Sequence, residues 1–62
     1  MKQKLINYLK LQDIKSNSDL WYKTRCYFKM QCIEWGGCYT PKGDNIIVRL
    51  ESERFKIYLR EL

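Results

Sequence analysis

The chain has no histidine, only one proline and only three glycines among its 62 residues. Without histidine, a nucleophilic cysteine has no imidazole to activate it, and a zinc site lacks one of its two usual ligand types. Glu51 and Arg54 offer an acid–cation pair of the kind that a small nuclease can use, but an ion pair beside a turn explains them more simply. We therefore predict a protein that is not an enzyme and that binds no metal and no cofactor.

Long apolar runs are also missing from the sequence. No stretch approaches the roughly 20 apolar residues that a membrane-spanning helix needs. Lys2 and Lys4 resemble the start of a secretory signal, but Asn7, Lys10 and Gln12 interrupt the apolar segment that should follow. We therefore predict a soluble cytoplasmic protein with no membrane partner.

The three cysteines, Cys26, Cys32 and Cys38, include no pair at the close spacing of structural zinc sites. If Cys26 and Cys32 lie on one strand, their Cα atoms are roughly 20 Å apart, whereas a disulfide requires about 4.4–6.8 Å. An odd number of thiols also fits a reducing compartment. We expect Cys26 and Cys32 to be small core residues and Cys38 to lie near solvent.

The length of the chain predicts one small domain, residues 1–62, with a marginal core. A domain of about 60 residues buries only about 60% of its unfolded surface. Two Trp, five Tyr and two Phe can compensate by burying large apolar areas, and a homodimer is the other way to enlarge so small a core. The net charge of +5 favours nucleic acid or an acidic protein surface as the partner.

Residues 2–14 have the apolar spacing of an amphipathic helix, and residues 15–19 have the polar composition of a loop. The apolar positions of this predicted helix are Leu5, Ile6, Tyr8, Leu9 and Leu11. Lysines at other positions can face water, so we predict a helix that covers one side of a small core.

Residues 20–33 decide the fold because their pattern fits two different elements. The even-numbered positions carry no charge, whereas the odd-numbered positions include Lys23, Arg25 and Lys29. A period of two is typical of a long, half-buried strand. The alternative is a helix from Ser18, which would place Arg25 within its apolar stripe. We therefore predict a strand that bends or carries a bulge.

The end of the chain predicts a β-hairpin with Ser52 and Glu53 at its tip. The facing apolar pairs would then be Leu50 with Phe55, Val48 with Ile57 and Ile46 with Leu59. All three pairs lie on one face, as a well-defined register requires, although Ser-Glu lacks the Gly or Asn that a tight turn prefers. A terminal helix from Ser52 remains the alternative for residues 52–62.

Together these elements predict an α+β fold with an N-terminal helix packed on a small antiparallel meander of three strands, or of four. The outer face of this sheet would carry seven of the twelve cations against one acid, with aromatic rings between them. Bases stack on such rings at about 1–3 kcal/mol each, while the cations contact phosphates. The plainer alternative is a polar sheet surface whose cations protect its edges.

We predict from this face a small, basic, non-enzymatic protein that binds nucleic acid. The predicted binding residues are Trp21, Lys23, Arg25, Tyr27, Lys29, Arg49, Lys56, Tyr58 and Arg60. The alternative is an adaptor or inhibitor of the phage or mobile-element type, which docks on an acidic surface of a nucleic-acid-processing enzyme. In this alternative, loop contacts from Trp35, Tyr39 and Lys42 would contribute to docking, since Trp, Tyr and Arg are the usual residues that dominate binding energy.

Overall fold

The computed structural model describes residues 1–62 and contains two helices followed by three strands. The elements are α1 (Lys2–Leu9), α2 (Asn17–Met30), β1 (Gly36–Tyr39), β2 (Asn45–Arg49), β3 (Arg54–Tyr58) and a final 3₁₀ turn (Leu59–Glu61). The strands form an antiparallel meander in the order β1-β2-β3. The predicted α+β class, with an N-terminal helix and a three-stranded meander, is confirmed.

Both helices cover the same face of the sheet, which we call the inner face. Nine side chains from the helices, β2 and β3 form the core: Leu5, Ile6, Leu9, Leu20, Tyr27, Phe28, Ile46, Val48 and Ile57. Each such side chain contributes about 1.5–3 kcal/mol when it is fully buried, so the fold rests on a small number of contacts.

The predicted strand at residues 20–33 is wrong, because residues 17–30 form helix α2. The Ser16 hydroxyl accepts a hydrogen bond from the Asp19 N–H at 3.2 Å, and the Asp19 carboxylate accepts one from the Lys15 N–H at 3.1 Å. The first bond satisfies an amide group that the helix start leaves free, and the Asp19 carboxylate also complements the helix dipole. The segment predicted as a loop is therefore the cap that starts α2.

The buried residues of helix α2 follow a helical period. They are not the apolar stripe that a helix from Ser18 was expected to have, because that stripe includes Arg25. The buried residues are Asn17, Leu20, Thr24, Tyr27 and Phe28. Arg25 is exposed, so no cation enters the apolar side. The Thr24 hydroxyl donates to the Leu20 carbonyl at 2.8 Å, which satisfies a polar group inside the core.

Helix α2 ends in a Schellman motif whose left-handed residue is Cys32, with φ 56°. The Ile33 N–H donates to the Phe28 carbonyl at 3.0 Å and the Cys32 N–H to the Lys29 carbonyl at 3.2 Å. Cys32 is exposed at this turn, so its predicted place in the core is wrong. Cys26 is only partly buried, and Cys38 is exposed as predicted.

Helix α1 ends at Leu9, five residues before its predicted end. If it continued, its next inward positions would be Gln12 and Asp13, which are polar. The chain instead tightens into a turn, in which the Leu11 N–H donates to the Tyr8 carbonyl and the Gln12 N–H to the Leu9 carbonyl. Leu11 is consequently exposed.

The hairpin of β2 and β3 is present, but its register differs by two residues from the predicted one. Val48 faces Phe55 and Ile46 faces Ile57. The loop has four residues, 50–53, and is closed by a hydrogen bond from the Leu50 N–H to the Glu53 carbonyl at 2.8 Å. A wider loop avoids a tight Ser-Glu turn, and a shift of two leaves every side chain on its predicted face. The alternative terminal helix is wrong.

Strand β1 begins with Gly36 and Gly37, and the chain reverses only after Tyr39. The reversal lies in the next loop, where Asn17 of α2 donates to the carbonyls of Thr40 and Asn45, both at 2.7 Å. Gly43 also bonds back to Thr40 at 2.8 Å. The start of α2 therefore fixes the connection between β1 and β2.

The C-terminal turn is held to α1 by the carboxylate of Glu61. This carboxylate accepts the Tyr58 N–H at 2.8 Å and lies 3.3 Å from the Lys2 ammonium. The backbone hydrogen bond, with a smaller contribution from Lys2, lowers the pKa of Glu61 below its ordinary value. Both ends of the chain are thus joined at one corner of the domain.

Replacing Cys32 by glycine should raise the free energy of unfolding by about 0.5–1 kcal/mol, because glycine adopts the left-handed conformation without steric cost. Urea unfolding followed by circular dichroism measures this change. Cys38→Gly is the control, since a glycine within a strand should lower stability. A loss of stability in Cys32→Gly would contradict the capping role of residue 32.

Replacing Gly37 by alanine should lower the free energy of unfolding by about 2–3 kcal/mol. Gly37 has φ 153°, and an added Cβ would overlap the carbonyl oxygen of Ile47 on the next strand. Gly36→Ala is the control, because its Cβ would meet only the Arg49 guanidinium at 3.8 Å. Equal unfolding midpoints for the two variants would show that β1 does not pair with β2 in this register.

Candidate nucleic-acid interface

The sequence predicts one basic face, but because residues 17–30 form helix α2, the predicted binding residues lie on different surfaces of the protein. Successive helical residues project about 100° apart, so the odd-numbered positions do not share a side. Tyr27 turns into the core, Trp21 and Lys23 are half-buried, and Arg25 and Lys29 face solvent. The predicted combination of Trp21, Tyr27 and Tyr58 as one stacking platform is therefore wrong.

Trp21 belongs to an aromatic cluster that joins α2 to β1. Its ring lies 4.7 Å from Trp35 and 4.8 Å from Tyr39, between ring centroids, and it stacks on Tyr39 at an interplanar angle of 21°. Trp35 also contacts Phe28 of the core at 5.1 Å. Trp35 and Tyr39, predicted as loop contacts for a partner, thus pack against α2, although Tyr39 stays 36% exposed.

Tyr27 packs between α1 and α2 and is only 9% exposed. Its ring lies 5.0 Å from Tyr8 and 5.6 Å from Phe28. Contacts of this kind contribute about 0.5–1.5 kcal/mol each beyond the area that they bury. Tyr27 therefore stabilises the core and offers no surface to a ligand.

The outer face of the sheet carries three exposed cations, Arg49, Arg54 and Lys56, which we call the cationic sheet face. Arg49 lies directly opposite Arg54 in the β2–β3 ladder. Like charges in this position repel each other and lower stability. None of the three cations forms an ion pair, because the four ion pairs of the protein use Lys2, Lys15, Arg60 and the N-terminal amine.

The cationic sheet face surrounds a shallow depression of about 500 Å³. Cys38 and Ile47 form its apolar part and the three cations form the rest. Phe55 also borders the depression, but it lies opposite the buried Val48 and packs against the core on the inner face. Cys38 faces Ile47 across β1 and β2, and Ile47 faces Lys56 across β2 and β3. The depression therefore crosses the full width of the sheet, about 10 Å between the outer strands.

Tyr58 and Arg60 lie at the end of β3 and interact with each other. The Arg60 guanidinium is 4.1 Å from the centroid of the Tyr58 ring and 3.8 Å from a carboxylate oxygen of Asp44. One face of the Tyr58 ring is thus covered, and the charge of Arg60 is partly compensated. Lys42, the third predicted loop contact, is exposed in the β1–β2 connection.

A second basic surface lies beside α2 and brings together Arg25, Lys29 and Trp35 of the predicted residues. It is a groove of about 500 Å³, which we call the α2 groove. Its six lining residues are Tyr22, Arg25, Cys26, Lys29, Ile33 and Trp35. Tyr22 was not among the predicted binding residues, although its spacing from Arg25 and Lys29 places all three on one side of a helix.

No protein family, no curated protein and no solved structure matches this chain. Among its side chains no group of three or more cysteines, aspartates and glutamates is arranged to hold a metal ion, and all three thiols are free. Neither helix is long and apolar enough to span a membrane.

Proposed function

We propose that this protein binds nucleic acid through the cationic sheet face, where Arg49, Arg54 and Lys56 contact phosphate groups. The observation that supports the proposal is the Arg49–Arg54 pair, which has no carboxylate partner. Glu34, Glu51 and Glu53 line a depression with Arg49, but none of them forms an ion pair with it, so a polyanion can supply the opposite charge.

Edge protection does not explain all three cations. Arg54 and Lys56 lie on β3, an edge strand, where cations discourage pairing with another sheet. Arg49 lies on β2, the central strand, which has no free edge. Its guanidinium extends over Gly36, where it stays exposed to a ligand. Guanidinium groups also bind phosphate with two parallel hydrogen bonds, which makes arginine well suited to this contact.

The contacts that we propose are mainly to the phosphate backbone. Trp21 and Tyr27 pack within the protein, and Tyr58 is covered by Arg60 on one side. Stacking of bases on the sheet is therefore limited, and phosphate contacts carry no direct sequence information. Binding should depend little on base sequence and strongly on salt concentration.

The experiment compares the triple variant Arg49→Gln, Arg54→Gln, Lys56→Gln with the natural protein on a short duplex, by fluorescence anisotropy at several salt concentrations. Loss of three phosphate contacts should weaken binding at least tenfold at low salt. The logarithm of the association constant falls linearly with the logarithm of the salt concentration. The triple variant should make this slope less steep by about 3, since each phosphate contact contributes about 0.9 on duplex DNA.

The control is the triple variant Lys4→Gln, Lys10→Gln, Lys15→Gln, which removes the same charge from exposed positions outside the sheet. It should retain more than half of the affinity and most of the salt slope. Equal losses in the two triple variants would show that binding follows net charge alone and would overturn the proposed interface.

A further inference from the structure

The α2 groove has an architecture that differs from the cationic sheet face. It lies between the solvent side of α2 and the segment that follows the helix. The left-handed turn at Cys32 reverses the chain, and the Ile33 N–H then bonds to the Phe28 carbonyl at 3.0 Å. This reversal brings Ile33 and Trp35 alongside the helix, so the groove has an apolar floor.

Two large apolar side chains stand exposed on the same helix. Tyr22 is 59% exposed within the groove, and Met30 is 60% exposed at the end of the helix. Tyrosine and methionine are enriched in protein–protein interfaces, where they bury a large area. Tyr22 and the floor of Ile33 and Trp35 form an apolar surface that phosphate recognition does not require.

The two charged residues that line the groove are both positive. Arg25 and Lys29 line the groove, no carboxylate does, and neither cation forms an ion pair. The nearby Asp19 is held by the backbone of Lys15 at the helix start. Glu34 lines an adjoining depression at the end of the sheet, which shares Ile33 and Trp35 with the groove. A ligand that fits the groove therefore combines apolar groups with negative charge.

The rings of the groove are poorly placed to stack on bases. Trp35 already packs against Trp21 at 4.7 Å and Phe28 at 5.1 Å, between ring centroids, so part of its ring surface is occupied. The Lys23 ammonium lies 5.9 Å from the centroid of the Tyr22 ring. Base stacking requires a free ring face, whereas an apolar side chain can fill the groove against ring edges.

We infer that the α2 groove binds an acidic amphipathic helix of another protein. The apolar side of such a helix would pack on Ile33, Trp35 and Tyr22, and its carboxylates would pair with Arg25 and Lys29. This is a second binding surface, independent of the proposed nucleic-acid interface. Binding of an amphipathic helix in an apolar groove is an established mode of peptide recognition.

The test uses a fluorescein-labelled synthetic peptide of about 18 residues, or five helical turns, with leucine on one side of its helix and glutamate elsewhere. A peptide of the same composition in scrambled order is the first control. Fluorescence anisotropy should show at least tenfold tighter binding of the amphipathic peptide. Equal affinity for both peptides would overturn the inference, because charge attraction alone would then explain binding.

Variants of the protein locate the site. Arg25→Glu with Lys29→Glu should weaken binding of the amphipathic peptide at least tenfold, and Tyr22→Ala should weaken it several-fold. All three residues are exposed, so circular dichroism should show an unchanged fold. Arg49→Glu with Lys56→Glu changes the net charge equally and should leave affinity within twofold. Equal losses in the two charge-reversal variants would overturn the inference.

A labelled oligothymidine tests the other class of ligand for the same groove. The affinity for oligothymidine should not change in Tyr22→Ala. The variant Arg25→Glu with Lys29→Glu should lose no more affinity for it than the variant Arg49→Glu with Lys56→Glu. A larger loss in the groove variant, together with a loss in Tyr22→Ala, would overturn the inference and assign the groove to single-stranded nucleic acid. Because the two surfaces share no residue, this result is distinguishable from failure of the sheet proposal.

Discussion

The packing of Trp21 against Trp35 and Tyr39 joins helix α2 to strand β1 and determines which side of the helix faces solvent. The cluster continues through Phe28 into the core, so one side of the helix is covered along most of its length. In a chain with nine core residues, a few aromatic contacts of this size are a large part of a stability that is marginal in most small domains.

The orientation of α2 also determines where the positive charge goes. Trp21, Tyr27 and Phe28 turn inward, and the exposed cations divide between the sheet and the helix. The sheet receives two guanidinium groups and an ammonium group on a nearly flat surface, which suits phosphates. The helix receives Arg25 and Lys29 beside an apolar floor, which suits a ligand that also has apolar groups. One small domain can therefore offer two chemically different surfaces without using the same residue twice.

The sequence predicts the first helix and the hairpin correctly in kind and misses helix α2. The apolar residues of the first helix fit one helical face, and the hairpin places three apolar pairs on one face, although residues 52–62 also fit a helical period. Residues 20–30 satisfy both an alternation of two and a helical period, and only the capping pair Ser16 and Asp19 distinguishes them. The end of helix α2 could not be predicted because Cys32 takes the left-handed position that glycine usually occupies. Arg49 and Lys56 were assigned to an exposed sheet face correctly, whereas the helix error misplaced Trp21 and Tyr27.

The most direct test of the account is a two-dimensional ¹H–¹⁵N NMR titration of the natural protein with a short DNA duplex, because it locates the contact surface without any substitution. We expect the largest shifts at the amides of Gly36, Arg49, Arg54 and Lys56, and unchanged amides between Tyr22 and Lys29. Shifts concentrated on α2, or spread evenly over all exposed amides, would contradict the separation of the two surfaces and the assignment of nucleic acid to the sheet.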